Sequence, residues 1–222
     1  AVDNPMLSPT FQQPLKLGAD VVVHSATKFL CGHSDVTAGA VITDDKEIHG
    51  RIAFQQNAEG SGLSPFESWL LLRGLKTLAL RVERQNQSAN KVAKFLVNHP
   101  FVSRVFYPGL EDHPGHQVHR NQAKGDGAVV SFTTGNGHFS ARVAEATRLF
   151  RIAVSFGSVG STISLPCRMS HSSIPLALRD RLGPPDDLVR LSVGIEDVDD
   201  LIEDLEQALT VSQISLAEAA CA

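Results

Sequence analysis

The chain has 222 residues, 42% of them hydrophobic and 20% charged, and a formal net charge of −4. That composition can bury one large domain or two small ones, and its mixed charges exclude a basic nucleic-acid footprint and a polyionic tail. Three cysteines, Cys31, Cys167 and Cys221, occur without a C-x-x-C; they point to a reducing compartment and exclude a cysteine-rich zinc site, and no apolar run reaches the roughly 18–20 residues of a membrane span.

The chain opens Ala1-Val2-Asp3-Asn4, without a methionine and inside what reads as the end of a strand. It is therefore expected to be the C-terminal part of a longer protein, with any targeting peptide in the missing part. Between Met6 and Gly18 there is room for a short helical connection. Leu17 to Ser25, with three consecutive valines, reads as a buried strand. Gly32 and Ser34-Asp35 mark a turn, and Thr37 to Thr43 reads as the next short buried strand. This order predicts a parallel α/β sheet.

Ser64-Pro65-Phe66-Glu67 is a helix start: a capping serine, proline at the first helical position, and a glutamate that completes a capping box. Gly74 is read as an interruption. Leu75, Leu78, Val82, Ala89, Val92, Ala93 and Leu96 then recur at three- and four-residue steps, predicting an amphipathic helix that ends at His99-Pro100. Beyond it, strands are predicted at Val102–Tyr107, Ala128–Thr133, Ile152–Phe156 and Leu188–Val193, and helices at Phe139–Phe150 and Glu196–Leu209. The expected division is residues 1–74 in a first domain, 75–209 in a smaller α+β domain, and a loosely ordered Ala/Ser-rich tail at 210–222.

Ser25-Ala26-Thr27-Lys28 carries the chemistry. Open α/β sheets bind ligands at the carboxyl ends of their strands, and this lysine follows such a strand. Two nearby hydroxyls suit an anion such as a phosphate, and desolvation would lower the lysine pKa so that it forms an imine with an aldehyde. Asp3 stands 25 residues earlier, a spacing that one strand–crossover–strand unit supplies. Pyridoxal 5′-phosphate (PLP) needs such a pair: a lysine for its aldehyde and an acid for its pyridine nitrogen. The bland alternatives are a surface lysine after a strand and an Asx turn before Pro5. Ser25-x-x-Lys28 also matches an acyl-enzyme motif, but the S-D-N and K-T-G elements it requires are absent: Ser34-Asp35 precedes Val36, and Lys76-Thr77 precedes Leu78.

Asp3-Asn4, Ser25-Ala26-Thr27-Lys28 and Gly32-His33-Ser34-Asp35 resemble the signature of the Cys/Met-metabolism PLP enzymes. The segments Leu72–Thr77, His113–His116 and Leu188–Arg190 follow in that family's order, so the resemblance runs from Asp3 to Leu209. Asn57–Leu63, Ser155–Val159, Pro166–His171 and Val193–Leu201 resemble the plant-type plastid cystathionine β-lyases within it. The resemblance implies the C-terminal part of an aspartate-aminotransferase-like large domain followed by a smaller α+β domain. It implies PLP as cofactor, a small sulfur amino acid as substrate, a homo-oligomer built as a dimer of dimers, and a plastid location, with no metal, nucleic-acid or membrane partner.

By the same resemblance Lys28 would hold the cofactor and shuttle the substrate α-proton, and Asp3 would pair with the ring nitrogen. Ser25 and Thr27 would contact the phosphate. Arg190 would bind the substrate α-carboxylate, together with Ser161, whose neighbours Gly160 and Thr162 depart from the family's Glu-Ser-Leu pattern. The residues alone leave open a structural ion pair of Arg190 with Asp186 or Asp187. They also leave open a metal site at His113, His116 and His119, a segment that resembles a structural loop. The missing half would supply an aromatic residue that stacks on the ring and a turn for the phosphate, so the present chain alone is expected to be inactive.

Overall fold

A computed structural model of the chain describes residues 1–170, 172, 174, 175, 178, 181 and 183–221, with side chains to residue 214. His171, quoted above, and Ala222 lie outside the described residues. Two sheets organise the fold. The first has the order β1-β2-β3, from Val2–Asp3, Val22–Ser25 and Gly39–Ile42. The β1–β2 crossover contains α1 (Ser8–Phe11) and a 3₁₀ turn (Pro14–Leu17). It makes β1 and β2 parallel, pairing Asp3 with Val23.

The expectation of a wholly parallel sheet fails at β3, which runs antiparallel to β2. The segment between them contains no crossover helix. The Thr27 N–H donates to Ala38 O at 3.1 Å and closes it like a hairpin. Nor is β3 buried: Gly39, Val41 and Ile42 are exposed.

Helix α2 (Lys46–Glu59), absent from the sequence reading, starts where the Asp45 side chain accepts Ile48 N–H at 2.9 Å. It ends at Gly60, whose φ of 71° suits a residue without Cβ. It buries none of its residues, so no apolar stripe announced it. Helix α3 (Pro65–Leu75) begins as expected, with Ser64 Oγ accepting Glu67 N–H at 3.2 Å. Gly74 lies within it rather than breaking it, because the bare Cα lets the helix close on Cys31 O.

Helix α4 (Leu78–Val97) packs on α1 and the turn after β2 on one side and on the second sheet on the other. The second sheet has the order β4-β5-β8-β7-β6, from Arg104–Phe106, Val129–Thr133, Val189–Ser192, Thr162–Ser164 and Arg151–Ile152. Helix α6 (Gly137–Ala146) and a final helix α7 (Val198–Cys221) complete it, with α5 (His116–Gln122) in the connection before β5. The core joins Leu96 and Val92 to Val130, Phe132, Ile163, Leu191, Leu201 and Leu205, all fully buried. Helix α7 continues past Leu209 to Cys221, so residues 210–221 extend the helix. The strand expected at Ile152–Phe156 stops at Ile152. Ser155 and Gly157 take φ values of 83° and 91°, outside the extended region.

Candidate active site

Lys28 sits in a five-residue π turn, Ala26–Leu30, that leaves the end of β2, and its own φ and ψ of −83° and −127° are not helical. Its Nζ does not turn to Ser25. It donates a hydrogen bond to Ser155 Oγ and lies 5.1 Å from the centroid of the Phe156 ring. From β8, Arg190 Cζ approaches the same ring at 5.7 Å, and its Nη2 donates to Ser155 O at 3.3 Å. One loop, Ser155–Gly157, thus gathers an amine and a guanidinium whose residues are 162 positions apart in sequence (190 − 28).

Gly157 makes that approach possible. A Cβ there would lie 2.7 Å from Phe29 N and 3.0 Å from the Lys28 carbonyl carbon. The Gly157 N–H donates to Ser192 Oγ at 2.9 Å and ties the loop to β8. Burial first, and then the Arg190 charge, lowers the Lys28 pKa. Burial lowers that of Arg190 as well. Among the described residues no carboxylate forms a salt bridge with Arg190. Asp187, one of its two candidate partners, instead accepts the Thr134 and Gly135 N–H groups at 3.2 and 2.7 Å. A half-buried guanidinium without an acid is poised for an anion from outside the chain.

Side chains alternate along a strand, so the Asp3–Val23 register puts Asp3, Val23 and Ser25 on one face of the first sheet. The Asp3 carboxylate is exposed, and neither it nor the Ser25 hydroxyl has a hydrogen-bond partner among the described residues. Thr27 is engaged: its Oγ1 accepts Ala38 N–H at 2.9 Å and donates to Ala38 O at 3.2 Å. It would have to release Ala38 O to donate to a phosphate.

Ser161 stands apart from the cluster. It is 1% exposed; its hydroxyl donates to Glu196 Oε2 at 2.9 Å and accepts Gly194 N–H at 2.8 Å. The serine beside Lys28 and Arg190 is Ser155, which sequence reasoning passed over as part of a strand. Its one signal was the Ser-Phe-Gly sequence, with a glycine two residues on.

The three histidines of the metal reading have local partners: His113 Nδ1 accepts Gly115 N–H at 3.1 Å, His116 Nδ1 pairs with Pro108 O at 2.8 Å, and His119 Nε2 with Gly125 O at 3.0 Å. His33 Nδ1 pairs with Cys31 O at 2.7 Å. Among the described residues no group of His, Cys, Asp and Glu side chains could hold a metal ion.

The residues present fit PLP. A strand-end amine with a lowered pKa suits its aldehyde, the unpartnered Asp3 its ring nitrogen, and the unpartnered Ser25 hydroxyl its phosphate. An unpaired arginine beside the amine suits an amino acid carboxylate. An amine of lowered pKa beside a guanidinium is an arrangement that suits a carbonyl cofactor and an anionic substrate.

Comparison with known proteins narrows this. Residues 1–210 match the family described as Cys/Met metabolism PLP-dependent enzyme. The chain belongs to that PLP-dependent family. It is 56% identical to a chloroplastic cystathionine beta-lyase of Arabidopsis thaliana over 93% of its own length and 45% of the relative's. It is 51% identical to a cystathionine gamma-lyase of Bacillus subtilis over 94% of its length and 55% of the relative's. A crystal structure of cystathionine gamma-lyase from Lactobacillus plantarum, complexed with L-serine, superposes with a TM-score of 0.92 at 42% identity, over 96% of this chain and 56% of that one. The chain therefore spans about half the length of the relatives it matches.

Proposed function

We propose that the full-length protein is a PLP-dependent carbon–sulfur lyase of the cystathionine β-lyase type, converting cystathionine and water to homocysteine, pyruvate and ammonia. The observation that carries this reading is the convergence of Lys28, Ser155 and the unpaired Arg190 on one loop. PLP, when bound, supplies an aldehyde that joins amines and a ring that takes up negative charge. Lys28 holds it at rest, and Asp3 keeps its ring nitrogen protonated. Ser25, and Thr27 on releasing Ala38 O, meet its phosphate.

Arg190 forks the substrate α-carboxylate. That fixes the substrate α-carbon near Lys28 Nζ, which is uncharged in a larger fraction than an ordinary lysine because its pKa is lowered. The free amine takes the α-proton, with Ser155 Oγ orienting it. Loss of that proton permits the β-carbon–sulfur bond to break. The thiolate leaves as homocysteine, and water completes the release of pyruvate and ammonia.

The β-lyase assignment is supported by relatives named as such from Arabidopsis thaliana and Mimosa pudica, both chloroplastic, which also support a plastid location. A γ-elimination reading is supported by the gamma-lyase of Bacillus subtilis. The keto acid released from L,L-cystathionine separates them: pyruvate is expected, and 2-oxobutyrate would overturn the β-lyase assignment. A homotetramer is part of the proposal. It is supported by apolar side chains left exposed on and beside α2 and α3, among them Phe54, Phe66, Trp69, Leu72 and Leu80. Residues 1–222 alone are expected to be inactive; turnover by that segment would contradict this.

A further inference from the structure

Helix α4 touches both halves of the site through two buried polar side chains one turn apart on one face. Arg81 is 5% exposed. Its Nη1 donates to Phe29 O at 2.9 Å, its Nη2 to Leu30 O at 3.3 Å and Gly74 O at 2.9 Å, and its Nε to Thr77 Oγ1 at 3.1 Å. Among the described residues no carboxylate forms a salt bridge with it. A buried cation is costly to desolvate, and this one is directed wholly at polar oxygens around the lysine turn. Two of them are the carbonyls that directly follow Lys28. Space for the fork comes from Gly32, where a Cβ would lie 2.0 Å from Arg81 Nη1. Lys28 interrupts the turn with a non-helical φ and ψ of −83° and −127°, and the carbonyls that Arg81 holds are those that follow this break.

Gln85 is fully buried. Its Nε2 donates to Ser158 O at 2.8 Å and Val193 O at 3.0 Å. The first belongs to the loop of Ser155 and Phe156. The second follows the strand that carries Arg190.

We propose that Arg81 and Gln85 are positioning residues that hold the two halves of the site in register. Arg81 fixes the turn of Lys28, and Gln85 fixes the Ser155 loop against the strand of Arg190. The inference rests on the reading of Lys28 as the cofactor-holding lysine. It assigns Arg81 to chemistry on the cofactor and Gln85 to capture of the substrate carboxylate.

The test uses the full-length, cofactor-loaded protein with Arg81→Met, Arg81→Lys, Gln85→Leu and, as control, Arg84→Ala, an exposed residue 3.9 Å from Asp197. Arg81→Met is expected to weaken the visible circular dichroism of the bound cofactor and to lower kcat about 10- to 100-fold, with KM changed less than about 3-fold. Arg81→Lys recovers part of both. Gln85→Leu is expected to raise KM about 10-fold while leaving the cofactor signal intact. The control matches the unaltered protein.

If Arg81→Met and Gln85→Leu lower only the melting temperature, with kcat, KM and dichroism within about 2-fold of the unaltered protein, the inference is overturned. Exchanged effects, KM for Arg81 and kcat for Gln85, overturn it too. If Arg81→Met does not fold, Thr77→Val removes one acceptor of the clamp and is expected to lower kcat and the dichroism in the same direction; no change in either overturns the inference. An unaltered protein with no visible cofactor band sinks the functional reading and the inference with it. A normal band with indifferent variants sinks the inference alone.

Discussion

Lys28 Nζ donates a hydrogen bond to Ser155 Oγ across 127 positions of sequence, and the serine holds that place in a left-handed backbone conformation, φ 83°. A non-glycine residue there is strained, by about 1–3 kcal/mol. Ser155→Gly should therefore relieve the backbone while removing the acceptor for Lys28. The expected outcome is a protein no less stable to denaturant, with kcat/KM lower by about 10- to 100-fold. A variant both less stable and fully active would contradict this placement.

Arg190 reaches the site with no acidic partner among the described residues. Arg190→Lys keeps the charge and loses the planar fork, so the KM for the amino acid substrate should rise about 10- to 100-fold. Steady-state kinetics on the full-length protein checks it. An unchanged KM would return Arg190 to a structural role.

The pH dependence follows from Lys28. Burial, then the Arg190 charge, lowers its pKa, so its amine becomes uncharged, and reactive, at lower pH than an ordinary lysine. Replacing Arg190 by glutamine removes the second of these causes, and the Lys28 pKa should rise. In the cofactor-free full-length protein, the pH at which Lys28 becomes reactive toward an amine-modifying reagent, followed by peptide mass spectrometry, should move upward in Arg190→Gln. A downward shift would mean that the two groups do not repel each other.

Gly157 is needed at its position twice over: its φ is 91°, and a Cβ would meet Phe29 N at 2.7 Å. Gly157→Ala should cost about 1–3 kcal/mol or more and displace the Ser155 loop. Equilibrium unfolding gives the first number, and the visible dichroism of bound cofactor reports the second. A variant as stable as the unaltered protein would show that the loop relaxes freely.

How far the sequence spoke depended on whether a feature was local. The valine run, the Ser64 cap and the three- and four-residue apolar spacing are local, and each recovered its element. Helix α2 has no buried residue, so periodicity gave no sign of it. The direction of β3 depends on Thr27 closing onto Ala38, a contact that no propensity announces. Near the site, what was legible is the strand of Asp3 beside the strand that leads into the Lys28 turn, since both follow from local sequence. Ser155 was not, since its role comes from a backbone turn and a partner 127 residues away. Ser161 looked like the carboxylate-binding serine in sequence, yet its hydroxyl belongs to Glu196 and Gly194. Gln85 falls within the apolar stripe of its helix and Arg81 at the edge of it, but as polar side chains neither was singled out, and only the packing shows which oxygens they hold.

The most direct test of the central claim is to reduce the full-length, PLP-loaded protein with borohydride, digest it, and locate the labelled residue by mass spectrometry. The cofactor is expected to be fixed to Lys28 alone, and Lys28→Ala to abolish the label and lower turnover about 1,000-fold or more. A label on another lysine, or full turnover by Lys28→Ala, would contradict it.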